Sequence, residues 1–152
     1  MGRVRIGALV ISLLGIAFGS SLVVLGSFFS WKSDEVLGIF SRSGWSYHNL
    51  IGGDGRISLA LGALMFCGLL IGSLTLSRIS YVVTLAISCV SMAFSVFELF
   101  CVMTSPGIGN TGNGLYMVTG GSVVVFFCSL GGLLMVSSNR SKGEEIVAEA
   151  GG

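Results

Sequence analysis

Charged side chains are scarce in this chain: eight lysines and arginines and seven aspartates and glutamates are spread over 152 residues. A water-soluble domain carries charge on about a quarter of its residues, whereas here charged residues make up 10% and hydrophobic residues 53%. Such a surface is built for lipid. The net charge of +1 supplies no field that would gather nucleic acid, so nucleic acid is not expected as a partner. Histidine occurs once, at His48, and one chain therefore cannot assemble a histidine-based zinc site without acidic or thiolate help. No P-loop, GxSxG elbow or HExxH helix is present, and no second carboxylate accompanies Glu98 inside the apolar runs. With the common nucleotide, hydrolase and metalloprotease chemistries removed, a non-enzymatic protein without cofactor or metal is expected.

Disulfides are also missing from the pattern. Cys67, Cys89, Cys101 and Cys128 all fall inside apolar runs, none in the polar loop, and no CxxC pair occurs. Each is expected to pack as a small apolar residue.

What the sequence does contain is four apolar stretches, over about 6–30, 57–77, 81–103 and 115–136, each without lysine or arginine. A hydrocarbon core of about 30 Å is crossed by about 20 such residues in a helix. The first stretch follows Arg3 and Arg5 and contains Ala17-Phe18-Gly19, as a signal peptide would, but a cleaved apolar segment is only about 7 to 15 residues long. It is expected to stay as a helix. The fold class follows: an all-α integral membrane four-helix bundle over residues 1–137, with one sizeable extracytoplasmic loop at 31–56 and a short cytoplasmic tail at 138–152. Only Arg78, Ile79 and Ser80 separate the second and third stretches, which makes them an antiparallel hairpin.

Orientation comes from basic residues. With the amino terminus inside, the cytoplasm receives Arg3, Arg5, Arg78, Arg140 and Lys142, and the outside receives Lys32, Arg42 and Arg56. Five against three agrees with the positive-inside bias and predicts a cell-membrane protein with both termini cytoplasmic. Trp31, Trp45, Tyr47, Tyr81 and Tyr116 lie at or beside span ends, where amphipathic rings favour the headgroup level. All five are expected as interface anchors. Gly52-Gly53-Asp54-Gly55 reads as a tight turn into the second helix.

The third stretch carries the best-defined pattern. Thr84, Ser88, Ser91, Ser95 and Glu98 recur at steps of four, three, four and three, which at 3.6 residues per turn stacks them on one helix face. Serine and threonine are common between membrane helices, where they are small and bond across the interface, so helix packing explains most of the stripe. Glu98 is different, because a carboxylate inside a span marks a functional site by default. It lies about 7 to 8 Å from the end of its span at 1.5 Å rise per residue, and Arg56 and His48 are its candidate ion-pair partners. The other helices carry small-xxx-small seams, Gly15 with Gly19 and Gly68 with Gly72, which allow close helix packing within the chain or between copies.

The long loop holding Trp31 and Gly44-Trp45, followed by Gly53-Asp54-Gly55-Arg56-Ile57 leading into helix two, resembles the small uncharacterised four-span membrane proteins of actinobacteria and related bacteria. The resemblance covers the overall layout and a short set of loop residues. It implies the four-span fold and no particular activity. The layout is also similar to that of claudins, but their outer-loop cysteine pair is absent here. Small multidrug exporters likewise have four spans and a membrane glutamate, but in their first helix, whereas Glu98 lies in the third. The expected partners are the lipid bilayer and either other membrane subunits or further copies of the chain. An accessory or interaction subunit is the expected function, with an oligomeric small transporter or holin-like protein, its path lined by the Thr84 to Glu98 stripe, as the alternative.

Overall fold

Long apolar segments in hydrocarbon must satisfy every backbone group internally, which leaves the helix as the natural solution for a single crossing. The computed structural model describes residues 2–33, 41–43, 54–75, 78–104 and 110–150, with side-chain surroundings for 7–31, 55–74, 78–104 and 111–137. Within these residues the chain forms helices α1 (Gly2–Gly26), α2 (Asp54–Thr75), α3 (Arg78–Thr104) and α4 (Asn113–Ala150). All four contain stretches long and apolar enough to cross a membrane: Gly7–Gly26, Gly55–Leu74, Arg78–Thr104 and Asn113–Ser137. Most of each stretch faces outward. Consecutive helices are neighbours, and α4 closes the ring by packing against α1 in the most extensive contact of the bundle.

Close backbone approach explains that contact. Ser12, Gly19 and Gly26 follow one another at intervals of seven on α1, and so do Gly114, Gly121 and Cys128 on α4. The two series meet in antiparallel order. A Cβ on Gly19 would lie 2.7 Å from the Gly121 carbonyl oxygen, and one on Gly121 would lie 2.6 Å from that of Gly19. Gly26 and Gly114 repeat the relation at 2.7 and 2.6 Å, and at the third level the Ser12 hydroxyl donates to the Cys128 carbonyl at 2.6 Å. Gly15 packs against the Cys128 side chain. Seven residues are nearly two helical turns, so one face stays in register along the seam. A second seam joins α2 to α3: Gly68 lies against Thr84, Gly72 against Ser80, and Ser80 donates its hydroxyl proton to the Gly68 carbonyl at 2.6 Å. Both glycine pairs expected to support packing are thus used within one chain.

Several boundaries and orientations differ from the sequence reading. The first helix ends at Gly26 rather than near residue 30, because the chain turns there and enters strand β1 (Ser30–Ser33). This strand lies between β2 (Ser41–Ser43) and β3 (Asn110–Thr111) in an antiparallel three-stranded sheet, an addition to the expected all-helical fold. Trp31, expected as an interface anchor, is fully buried, and its indole Nε1 donates to the Gly26 carbonyl at 2.9 Å. The strand turns its ring inward over the end of α1, where that carbonyl has no partner within the helix. Tyr81 is likewise buried, because three residues before Thr84 it shares the inward face of α3. Tyr116 does face outward, and Trp45 and Tyr47 lie outside the described residues. Helix α4 continues through the expected short tail to Ala150.

Two apolar clusters fill the interior. Val23, Trp31, Val102, Leu115 and Val118 form one toward the sheet; Ile16, Met65, Tyr81 and Val125 form the other. Replacing Gly121 by Ala drives a methyl group into a backbone carbonyl that cannot rotate away, and overpacking of this kind costs about 1 to 3 kcal/mol. The neighbouring Gly120 meets nothing within 4 Å. Thermal unfolding in nanodiscs is expected to show a lowered Tm for Gly121→Ala and no loss for Gly120→Ala; equal behaviour of the two variants would refute the seam.

Candidate intramembrane polar site

The inward face of α3 consists of Ser80, Tyr81, Thr84, Ser88, Ser91, Ser95, Glu98 and Val102. The five stripe residues Thr84, Ser88, Ser91, Ser95 and Glu98 therefore all point into the bundle, none more than 2% exposed. The opposite face of the same helix is apolar, where Met92, Ala93, Val96, Phe97 and Phe100 line a shallow outward groove. Placing hydroxyls in the interior and phenylalanines outside inverts the pattern of a soluble bundle, as a hydrocarbon solvent demands.

Most of these hydroxyls are satisfied locally. Thr84 donates to the Ser80 carbonyl at 2.9 Å, Ser88 to Leu85 at 2.8 Å and Ser95 to Met92 at 3.0 Å. Such bonds to the preceding turn let a helix carry serine through lipid. Ser91 bonds across the bundle instead: its hydroxyl lies 2.7 Å from that of Ser122 on α4. Ser122 gives its own proton to the Val118 carbonyl at 2.8 Å, so with one proton per hydroxyl the bridging proton belongs to Ser91. This pair sits between the two apolar clusters, since Ser122 separates Val118 from Val125 on α4 and Ser20 separates Ile16 from Val23 on α1.

Glu98 lies one turn before Val102 and is fully buried, and it is not without an interaction partner. Arg56, one of its two candidate partners, lies exposed near the start of α2, and the other, His48, falls outside the described residues. Among the described residues no group of three histidine, cysteine, aspartate or glutamate side chains is arranged to hold a metal ion. Cys67 and Cys89 face outward and only Cys101 and Cys128 are partly buried, so the expected packing of all four cysteines inside the bundle applies to two. Among the described residues the interior is thus an oxygen-rich lining of hydroxyls with one carboxyl group. Such a lining can accept and donate hydrogen bonds and hold a proton.

Sequence reasoning did not single out Ser20. It has no glycine-seam spacing of its own, and its burial results from the pairing of α1 with α4. Ser58, Ser122 and Ser129 are likewise fully buried. Comparison with protein-family models, with curated proteins and with solved structures finds no match. The role of the site is therefore inferred from its own geometry.

A hydrogen bond between membrane helices is worth about 0.6 kcal/mol on average and at most about 1.7. A double-mutant cycle of Ser91→Ala and Ser122→Ala, measured by reversible unfolding in bicelles, is expected to return a coupling in that range. A coupling indistinguishable from zero would show that the bridge contributes nothing.

Proposed function

We propose that this chain is a non-enzymatic multi-pass protein of the cell membrane, an accessory or interaction subunit that joins a larger membrane complex. The observation that carries the proposal is the inward turn of the polar α3 face. The outward surface of the bundle is left to large apolar side chains, among them Phe18, Phe28, Phe97, Phe100 and Phe127. A surface of this kind meets lipid tails or the apolar side of another membrane protein. The bias of basic residues orients the chain with both termini in the cytoplasm, and the loop between α1 and α2 then faces the opposite side as the polar handle for a partner.

The alternative is an oligomeric transporter or holin-like protein with the Thr84 to Glu98 stripe lining a path between copies. That reading needs the stripe to face other copies, and its burial within one chain weighs against it.

Purification of the native full-length protein in nanodiscs, with mass spectrometry of the particle, separates the two readings. The expected result is a larger membrane protein at fixed stoichiometry. A homo-oligomer alone would sink the accessory reading. As a second check, Glu98→Gln and Ser91→Leu are expected to leave ion flux and cell viability unchanged; loss of flux or toxicity with assembly intact would support the path.

A further inference from the structure

Four buried hydroxyls stand apart from the rest of the interior. Ser20 on α1, Ser58 on α2 and Ser129 on α4 are fully buried, Tyr81 on α3 is 2% exposed, and none of the four oxygens makes a hydrogen bond among the described residues. Each helix contributes one. Their neighbours show that the usual remedy is available in these helices: Ser21, Ser27, Ser88, Ser95, Thr84, Thr119 and Ser122 all donate to a carbonyl three or four residues earlier. Bulk water cannot reach the open hydroxyls from the lipid side, and an unbonded hydroxyl in an apolar medium is costly.

Their positions are related. The Tyr81 ring and the Ser12 hydroxyl both lie against Gly132, with Ser12 oxygen 2.7 Å from where a Cβ would stand. Ser129 is three residues before Gly132, on the same inward face of α4. Ser12 stands near enough to the phenol to interact with it, although the Tyr81 oxygen completes no hydrogen bond. Ser12 already gives its proton to the Cys128 carbonyl, so its oxygen remains as an acceptor. Ser12 and Tyr81 meet at the level of Gly132, and Ser129 lies one turn before it on the same inward face, so this end of the interior holds the two or more polar groups that a buried water requires. Ser20 lies at the middle of the bundle, between Ile16 and Val23, and the polar face of α3 runs the length between Tyr81 and Glu98.

We propose that the interior of this bundle is a binding site for water: an ordered molecule sits among Tyr81, Ser129 and Ser12, at one end of the polar face that runs to Glu98. The ligand class is water itself, held by hydroxyl donors and acceptors inside an apolar shell. The inference stands whether or not a partner subunit exists, since it concerns groups buried within one chain.

X-ray hydroxyl-radical footprinting of the full-length protein in nanodiscs tests it, because radicals formed from a trapped water oxidise the side chain beside it. Met65 and Tyr81 share the cluster next to the proposed inner water and are sealed from bulk solvent. Both are expected to be oxidised several-fold faster than Phe127, which faces outward into lipid. Ser129→Ala, which removes one water partner, is expected to reduce Tyr81 oxidation several-fold. If Met65 and Tyr81 in the unaltered protein react no faster than Phe127, the interior is dry and the proposal falls. That arm needs no variant to fold.

Discussion

Lipid tails are as apolar as leucine, so moving a leucine from lipid into a helix interface gains little. What remains to hold membrane helices together is the closeness with which their backbones can approach, and the seam between α1 and α4 is where this chain achieves it. Two glycine pairs set backbone against backbone, and many weak dispersion contacts accumulate along the line between them. With α1 and α4 fixed, α2 and α3 close the ring through their own glycine and serine contacts, and the inward faces of all four helices are defined. The polar site is a product of that closure.

Serine suits such an interior for two reasons. It is small enough to sit at a close seam, and it can bond to its own helix, so a chain can hold many hydroxyls in lipid without a matching set of partners. Glu98 has no comparable local remedy, because a carboxylate needs donors or a proton to be stable away from water. Its location toward the sheet-bearing end, one turn from the cluster that contains Trp31 and Val102, sets the polar group nearest the region where the chain leaves the helices. Trp31 covers that end and is itself anchored on both sides, by its indole bond to Gly26 and by the Gly112 amide, which donates to its carbonyl at 2.8 Å.

The number of helices was legible in the sequence because four apolar runs have no other stable form in lipid. The inward face of α3 was legible because its polar residues follow the helical period without interruption. The α1 to α4 register was not, since its two series stand far apart in sequence and neither looks unusual in its own helix. Trp31 and Tyr81 show the limit of assigning rings by position: a span end fixes depth in the membrane but not rotation about the helix, and a short strand or a one-residue phase decides whether a ring meets lipid or core. The sheet gave no signal because its strands are only two to four residues long, too short for alternation to register.

The α1 to α4 seam joins the earliest-made of these four helices to the latest-made. Every other helix contact in the ring can form as soon as the next segment emerges, whereas Gly19 and Gly26 must wait in the bilayer until Gly121 and Gly114 arrive. During that interval α1 carries an open docking face that fits α4 of any copy, its own or a neighbour's. Faithful closure of the ring therefore depends on how quickly the middle of the chain is threaded compared with how often two nascent chains meet.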